Sequence, residues 1–242
     1  MKKNLLAAII ILIVSNLSAQ NKPATNVQKK KIDLSGRSND HLMLQLGYAG
    51  WNGKPDSINT KGLSRSFNVY FLFDFPFKTN PRLSAAAGLG IASDHIFFDK
   101  TYIGIKDLAS VLKFTNQADT THFKKTKLAT AWLEVPVELR YTANPMNSGK
   151  SFKAAIGIKV GTLLNAHSRY KDLQNKSGQT INSYVLKETS KSFFNTNHFV
   201  FSARAGYGHF TLFYSTQLGT LFKTGTAAEI KPYSIGLTIS GL

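Results

Sequence analysis

Residues 133–141 read L-E-V-P-V-E-L-R-Y, so that Leu133, Val135, Val137, Leu139 and Tyr141 alternate with Glu134, Pro136, Glu138 and Arg140. Successive side chains of a strand point to opposite sides, and a two-residue period therefore gives one apolar and one charged face. Which face meets which solvent decides what the chain can be.

The same period recurs from residue 41 onward in eight segments, each about the 9–11 residues that a tilted membrane strand requires. Three precede the stretch above, which itself extends back to Ala131. Leu42, Leu44, Leu46 and Tyr48 stand against Met43, Gln45, Gly47 and Ala49. Phe67, Val69, Phe71, Phe73 and Phe75 stand against Asn68, Tyr70, Leu72 and Asp74. Leu83, Ala85, Ala87, Leu89 and Ile91 stand against Ser84, Ala86, Gly88 and Gly90. Four more follow. Phe152, Ala154, Ile156, Ile158 and Val160 oppose Lys153, Ala155, Gly157, Lys159 and Gly161. Phe199, Phe201, Ala203, Ala205 and Tyr207 oppose Ser202, Arg204 and Gly206. Phe210, Leu212, Tyr214 and Leu218 oppose Thr211, Phe213, Ser215 and Gln217; Tyr233, Ile235, Leu237 and Ile239 oppose Ser234, Gly236, Thr238 and Ser240.

The connections alternate in length. Those near residues 52–65, 94–126, 166–197 and 219–230 are long; those near 78–82, 142–151 and 208–209 are short and hold the turn formers Asn80-Pro81, Asn144-Pro145 and Gly208. This rhythm predicts an all-β fold: an eight-stranded antiparallel up-and-down transmembrane β-barrel with long extracellular loops and short periplasmic turns. Both chain ends are then periplasmic.

The larger-apolar face carries no charge, whereas the small, polar face holds Asp74, Glu134, Glu138, Arg140, Lys153, Lys159 and Arg204. A soluble ligand carrier would turn the apolar face inward. Against that stand the continuous aromatic character of the apolar face and the near balance of the charges, three acidic against four basic. A lipid-facing Arg or Lys costs about 2–4 kcal/mol at the bilayer midplane, so the seven are expected to share the lumen as a structural charge network.

If the turn near 142–151 sets Arg140 opposite Lys153, then Glu138 faces Ala155 and Glu134 faces Lys159, with a two-residue slip as the alternative. A Glu134–Lys159 contact and a shared Glu138 network, reaching Arg204 and Asp74, are expected. Paired carboxylates can do acid–base work, but here they read as structural pairs. Pro136 lacks a ladder donor, which predicts a bulge or local break. Aromatic girdles are expected at the outer end (Tyr48, Trp51, Tyr233) and the inner end (Phe75, Phe77, Tyr141, Phe152, Tyr207, Phe210).

Upstream, Lys2 and Lys3, the apolar residues 5–14 and the small residues Ser18 and Ala19 read as a signal peptide over residues 1–19. Residues 20–40 are polar and aperiodic and read as a flexible periplasmic segment, which leaves 41–242 for the barrel. The chain has no cysteine, which excludes thiolate metal sites, cysteine nucleophiles and disulfides. The formal charge is +17, lowered to +15 by loss of Lys2 and Lys3. Nucleic acid is not the expected partner of an exported chain. The excess sits largely in the connections (Lys29 to Lys31, Lys124, Lys125, Lys171, Lys176, Lys187, Lys191), where it either is simply solvated or faces a phosphate-rich membrane surface.

The signal peptide ending in S-A-Q, the eight segments and the element W-L-E-V-P-V-E-L-R-Y together resemble the outer-membrane β-barrel domain proteins of the Bacteroidota, often called PorT-like. The resemblance spans residues 41–242, and only L-E-V-P-V is family-specific. It implies residence in the bacterial outer membrane among lipid and lipopolysaccharide. It also implies a role in protein secretion for some members, and it brings no catalytic residue. The chain ends Ser240-Gly241-Leu242 where many such barrels end on an aromatic residue.

An eight-stranded barrel is just wide enough for side chains to fill it, so function is expected on the loops, non-enzymatic, as anchor, interaction platform or secretion accessory. A narrow channel and a lipid-modifying enzyme are the alternatives. The histidines form no constellation, and only His95, beside Asp94, and His198 are worth testing for chemistry. No cofactor or metal motif is present. In the second long connection, Ile105, Leu108, Val111 and Leu112 have helical spacing; a short amphipathic helix and a continuation of the strands are both open.

Overall fold

The computed structural model describes residues 41–241; the expected signal peptide and periplasmic segment lie outside the described residues. Eleven strands occur among the described residues: β1 (Leu42–Asn52), β2 (Arg65–Pro76), β3 (Leu83–Phe98), β4 (Thr101–Ile103), β5 (Phe114–Asn116), β6 (His122–Thr142), β7 (Phe152–Gln174), β8 (Thr180–Thr189), β9 (Asn197–Tyr207), β10 (Phe210–Gln217) and β11 (Lys231–Ser240). Eight of them form a cylinder in the order β6-β3-β2-β1-β11-β10-β9-β7, closed by the β6–β7 pair. Every pairing is antiparallel, and β11 returns to β1. Closure leaves no sheet edge in the membrane zone, which is what allows strands to cross lipid.

The alternation places side chains as the sequence implies. Phe71, Ile156 and Leu237 are 49, 55 and 41% exposed, whereas Glu138 and Lys159 are 4 and 2% exposed. The apolar face therefore looks out to lipid and the charged face in.

Three strands are far longer than a membrane crossing. β7 has 23 residues and β6 has 21; at about 3.3 Å per residue the former runs about 75 Å. The ladder between β3 and β6 continues to Phe98 and Thr126, and that between β6 and β7 to His122 and Gln174. Much of the expected second and third long connections is thus strand. The helix alternative is not found. Ile105 and Leu112 are buried and Leu108 and Val111 exposed, in the turn joining the β4–β5 hairpin. The third connection folds into β8, which pairs with the upper part of β7 beyond the point where β9 leaves it.

The inner face changes character along the barrel axis. Above the charged zone it is apolar, and Trp51 packs edge-on against Phe98, Phe114 and Phe222 at ring distances of 5.4, 6.2 and 6.0 Å. Ile58, Ile103, Ile105, Leu221 and Ile230 complete this plug. Each fully buried side chain of this size contributes about 1.5–3 kcal/mol. Trp51 is consequently not a girdle residue: its odd position puts it on the inner face with Ala49. Tyr48 and Tyr233 do stand on the outer wall, with ring centroids 6.3 Å apart. At the other end Phe75, Phe77, Tyr141, Phe152, Tyr207 and Phe210 are all exposed.

Two local expectations change. The β6–β7 register sets Arg140 opposite Ala155, Glu138 opposite Gly157 and Pro136 opposite Lys159, a slip of two from the first alternative. The turn at 143–151 tightens through a 3-10 segment, Pro145–Lys150, which moves Lys153 level with Thr142. At Pro136 the β3–β6 ladder is interrupted but its register is kept, since Ala87 pairs with Val137 and Gly90 with Glu134. The missing donor breaks the ladder without a bulge; the bulge lies between Ala131 and Trp132.

Candidate functional site

The inward side chains form two charged layers. In the layer nearer the short turns, Glu138 of β6 accepts from Arg140 Nε at 2.9 Å and from Arg204 Nη2 of β9 at 3.0 Å. Arg140 also stands 3.7 Å from Asp74 of β2. Lys153 is buried in the same interior at 4% exposure.

The second layer is built around Glu134. Tyr70 donates to Glu134 Oε2 at 2.6 Å, and Lys159 donates to the Tyr70 hydroxyl at 2.8 Å and to Gln45 Oε1 at 3.3 Å. Lys159 Nζ lies 3.8 Å from Glu134 itself. His198 of β9 brings Nε2 to 3.0 Å from Glu134 Oε1, outside hydrogen-bond angles, and stacks on Trp132 at 3.8 Å. Small residues make the room: a Cβ on Gly90 would strike the Tyr70 ring, and one on Gly161 would strike His198.

Above Glu134 a cavity of about 40 Å³ remains, bordered by Ser66, Asn68, Asp94, Trp132, His198 and Lys159. That is room for about three waters. Nδ1 of His198 has no hydrogen-bond partner among the described residues, so no serine is paired with it as a nucleophile would be. Trp51 and Leu221 of the plug border this cavity as well. Among the described residues no group of His, Asp or Glu is placed to hold a metal ion.

Of the seven residues expected in the lumen, the structure brings Asp74, Glu138, Arg140 and Arg204 into one layer and Glu134 and Lys159 into the next. Tyr70 and Gln45 stand on the inner face as their parity implies, though not as members of the charge network, whereas Asp94 and His198 join the interior without having been expected there. Asp94 falls on the inward parity once β3 is known to run past Ile91, and His198 does so once β9 starts at Asn197. His95 and Asp94, adjacent in sequence, point to opposite faces. His95 sits on the outer wall against Ser93 Oγ at 3.2 Å and Lys127 Nζ at 3.4 Å, so the two cannot act as a pair.

The chain is matched over residues 19–223 by a family model described as outer membrane protein beta-barrel domain. No curated protein matches it in sequence. Among solved structures it is similar to the crystal structure of Ail, the attachment invasion locus protein of Yersinia pestis, in complex with the heparin analogue sucrose octasulfate: 14% identity over 84% of this chain and 97% of that one, TM-score 0.36. It is also similar to a mutant of the Rh. blastica porin, at 8% identity over 84% of this chain and 98% of that one, TM-score 0.18. Both are remote in sequence and superpose loosely.

Proposed function

The chain belongs to the outer membrane protein beta-barrel domain family, a barrel of the bacterial outer membrane, and from that premise we propose that it acts without catalysis, through its long-connection end, as an anchor, interaction platform or protein-secretion accessory. In this reading the long connections face the cell exterior, the short turns face the periplasm, and residues 1–19 are a signal peptide removed on export. The wall is surrounded by outer-membrane lipid and lipopolysaccharide. The two charged layers hold the barrel together.

The observation that carries the reading is the filled interior. Two charged layers and an aromatic plug occupy the barrel interior among the described residues, which supports a role other than conduction, and β6, β7 and β8 extend beyond the membrane belt as a platform. The resemblance of W-L-E-V-P-V-E-L-R-Y to PorT-like proteins supports the secretion role. Affinity purification from detergent-solubilised outer membranes tests it. Export-machinery components should co-purify and be lost when the β7–β8 hairpin is trimmed; recovery of the barrel alone would contradict it.

A further inference from the structure

Beyond the lipid-facing belt, the outward side of β2, β3, β6, β7 and β8 becomes basic. Arg65, one outward step above the half-exposed Phe67, pairs with His95. In the next row Phe97 pairs with Lys127, Lys127 with Arg169, and Arg169 with Lys187. One row higher Lys125 faces Lys171.

Like charges directly opposite one another in a ladder are destabilising, yet three stand abreast here. Among the described residues, none of Arg65, Lys125, Lys127, Arg169 and Lys187 has an ion pair with an acid. The crowding is felt by its members. Burial, then Arg169, Arg65 and Lys187, lower the pKa of the Lys127 amine. Burial, then Lys187, Lys127, His95 and Arg169, push the His167 imidazole down to about 4. An anion held among these side chains would relieve their mutual repulsion.

The surface is also shaped. A cavity of about 400 Å³ lies between Leu63, Arg65, Phe97 and Lys125, and a second of about 220 Å³ between Phe97, Lys127 and Arg169. The Arg65 guanidinium sits 5.9 Å over the Phe97 ring, which forms the wall common to both. Directly below, Phe67 and Ile91 are 49 and 51% exposed. Cationic grooves continuous with an apolar wall suit an amphiphile better than a soluble polyanion, which would leave that wall unused.

We propose that this band binds the phosphorylated headgroup of an outer-leaflet lipid, with the phosphates bridging Lys127, Arg169 and Lys187 and the acyl chains lying along Phe67 and Ile91. The proposal rests on the reading that the long-connection end is extracellular. Occupancy would relieve the facing charges, and it would fix the height of the β7–β8 platform above the membrane.

The test uses the purified full-length chain in nanodiscs with bisphosphorylated lipid A, the same lipid without its phosphates, and a sulfated oligosaccharide. The Lys127→Gln, Arg169→Gln, Lys187→Gln triple variant is compared, with heat-dependent gel mobility to report folding. At a typical gain per basic residue near an anionic surface, loss of the phosphates or of the three cations should weaken lipid binding about a hundredfold. Equal binding of the two lipids by the native chain overturns the proposal, whatever the variant does. So does tight binding of the oligosaccharide in the absence of lipid, which would assign the band to a soluble polyanion. Orientation is read separately. Ser177→Cys, a unique thiol at the hairpin tip, should react with an impermeant maleimide on intact cells, and its protection would overturn the outward reading without touching the lipid measurement.

Discussion

Glu138 on β6 and Arg204 on β9 are joined at 3.0 Å across the intervening strand β7, passing over Gly157. The bond ties together strands that are not neighbours in the sheet. A Cβ on Gly157 would come within 3.0 Å of the Glu138 side chain, so the glycine provides clearance for the crossing.

The Glu138→Gln substitution keeps the volume and removes the charge that serves both Arg140 and Arg204. Breaking a buried, hydrogen-bonded pair by removing one partner costs about 3–5 kcal/mol. Urea unfolding in lipid vesicles should show a loss of that size. A loss under about 1 kcal/mol, the range of solvated pairs, would mean that the layer is not enclosed.

Ile158 lies near the middle of the part of β7 that pairs with β9 and is half exposed on the outer face. Ile158→Lys should destabilise the barrel by about 2–4 kcal/mol, as expected for a cation at the bilayer midplane. Folding yield into vesicles, compared with the same substitution at the exposed loop residue Leu108, checks it; a neutral outcome at Ile158 would contradict the placement of the belt.

The membrane-spanning half of this fold was legible in the sequence because a two-residue period records which side of a wall each residue occupies. Phe71 and Asp74 are placed by parity alone. The half beyond the membrane was hidden for a physical reason. There the inner face is itself apolar (Ile96, Phe98, Leu128) and the outer face basic (Lys125, Lys127, Arg169), so the contrast that marks a strand in lipid reverses and reads as a loop. Register was open to a slip of two, since no side-chain pattern distinguishes pairings of equal parity and only the turn at 143–151 settles it. The Glu134–Lys159 contact of the second layer was legible, but the parts of Tyr70 and His198 in it were not, because neither is permanently charged and His198 precedes the segment marked by the period.

Phe222 is buried between Trp51, Phe114 and Phe194 in the plug. Phe222→Ala should cost about 3–5 kcal/mol, as large-to-small changes in a packed core do. Hydrogen exchange should accelerate in β4, β5 and the segment 219–230. Planar-bilayer conductance should stay silent, because the Lys159–Glu134 layer below still fills the barrel. Open-channel events in this variant would mean that the plug alone closes it.

Burial, with Lys187, Lys127, His95 and Arg169 around it, pushes the His167 imidazole from its ordinary value of 6.5 down to about 4 in the folded protein. Between these two pH values the unfolded chain takes up a proton that the folded chain refuses. Stability of the β7–β8 extension is therefore fully present above pH 6.5 and falls as the pH drops toward 4. An NMR titration should place the midpoint near 4, and His167→Asn should flatten the acid limb of the stability curve. A midpoint near 6.5 would show that neither burial nor the basic band acts on this imidazole.

Residues 133–141 present their apolar face to lipid and their charged face to the lumen. The chain has no native cysteine, so single-cysteine nitroxide scanning of this stretch in bilayers addresses it directly. Labels at 133, 135, 137 and 139 should be quenched by oxygen dissolved in lipid, and labels at 134 and 138 by neither oxygen nor a water-soluble nickel chelate. Strong nickel quenching at 134 and 138 with oxygen-shielded odd positions would contradict the account.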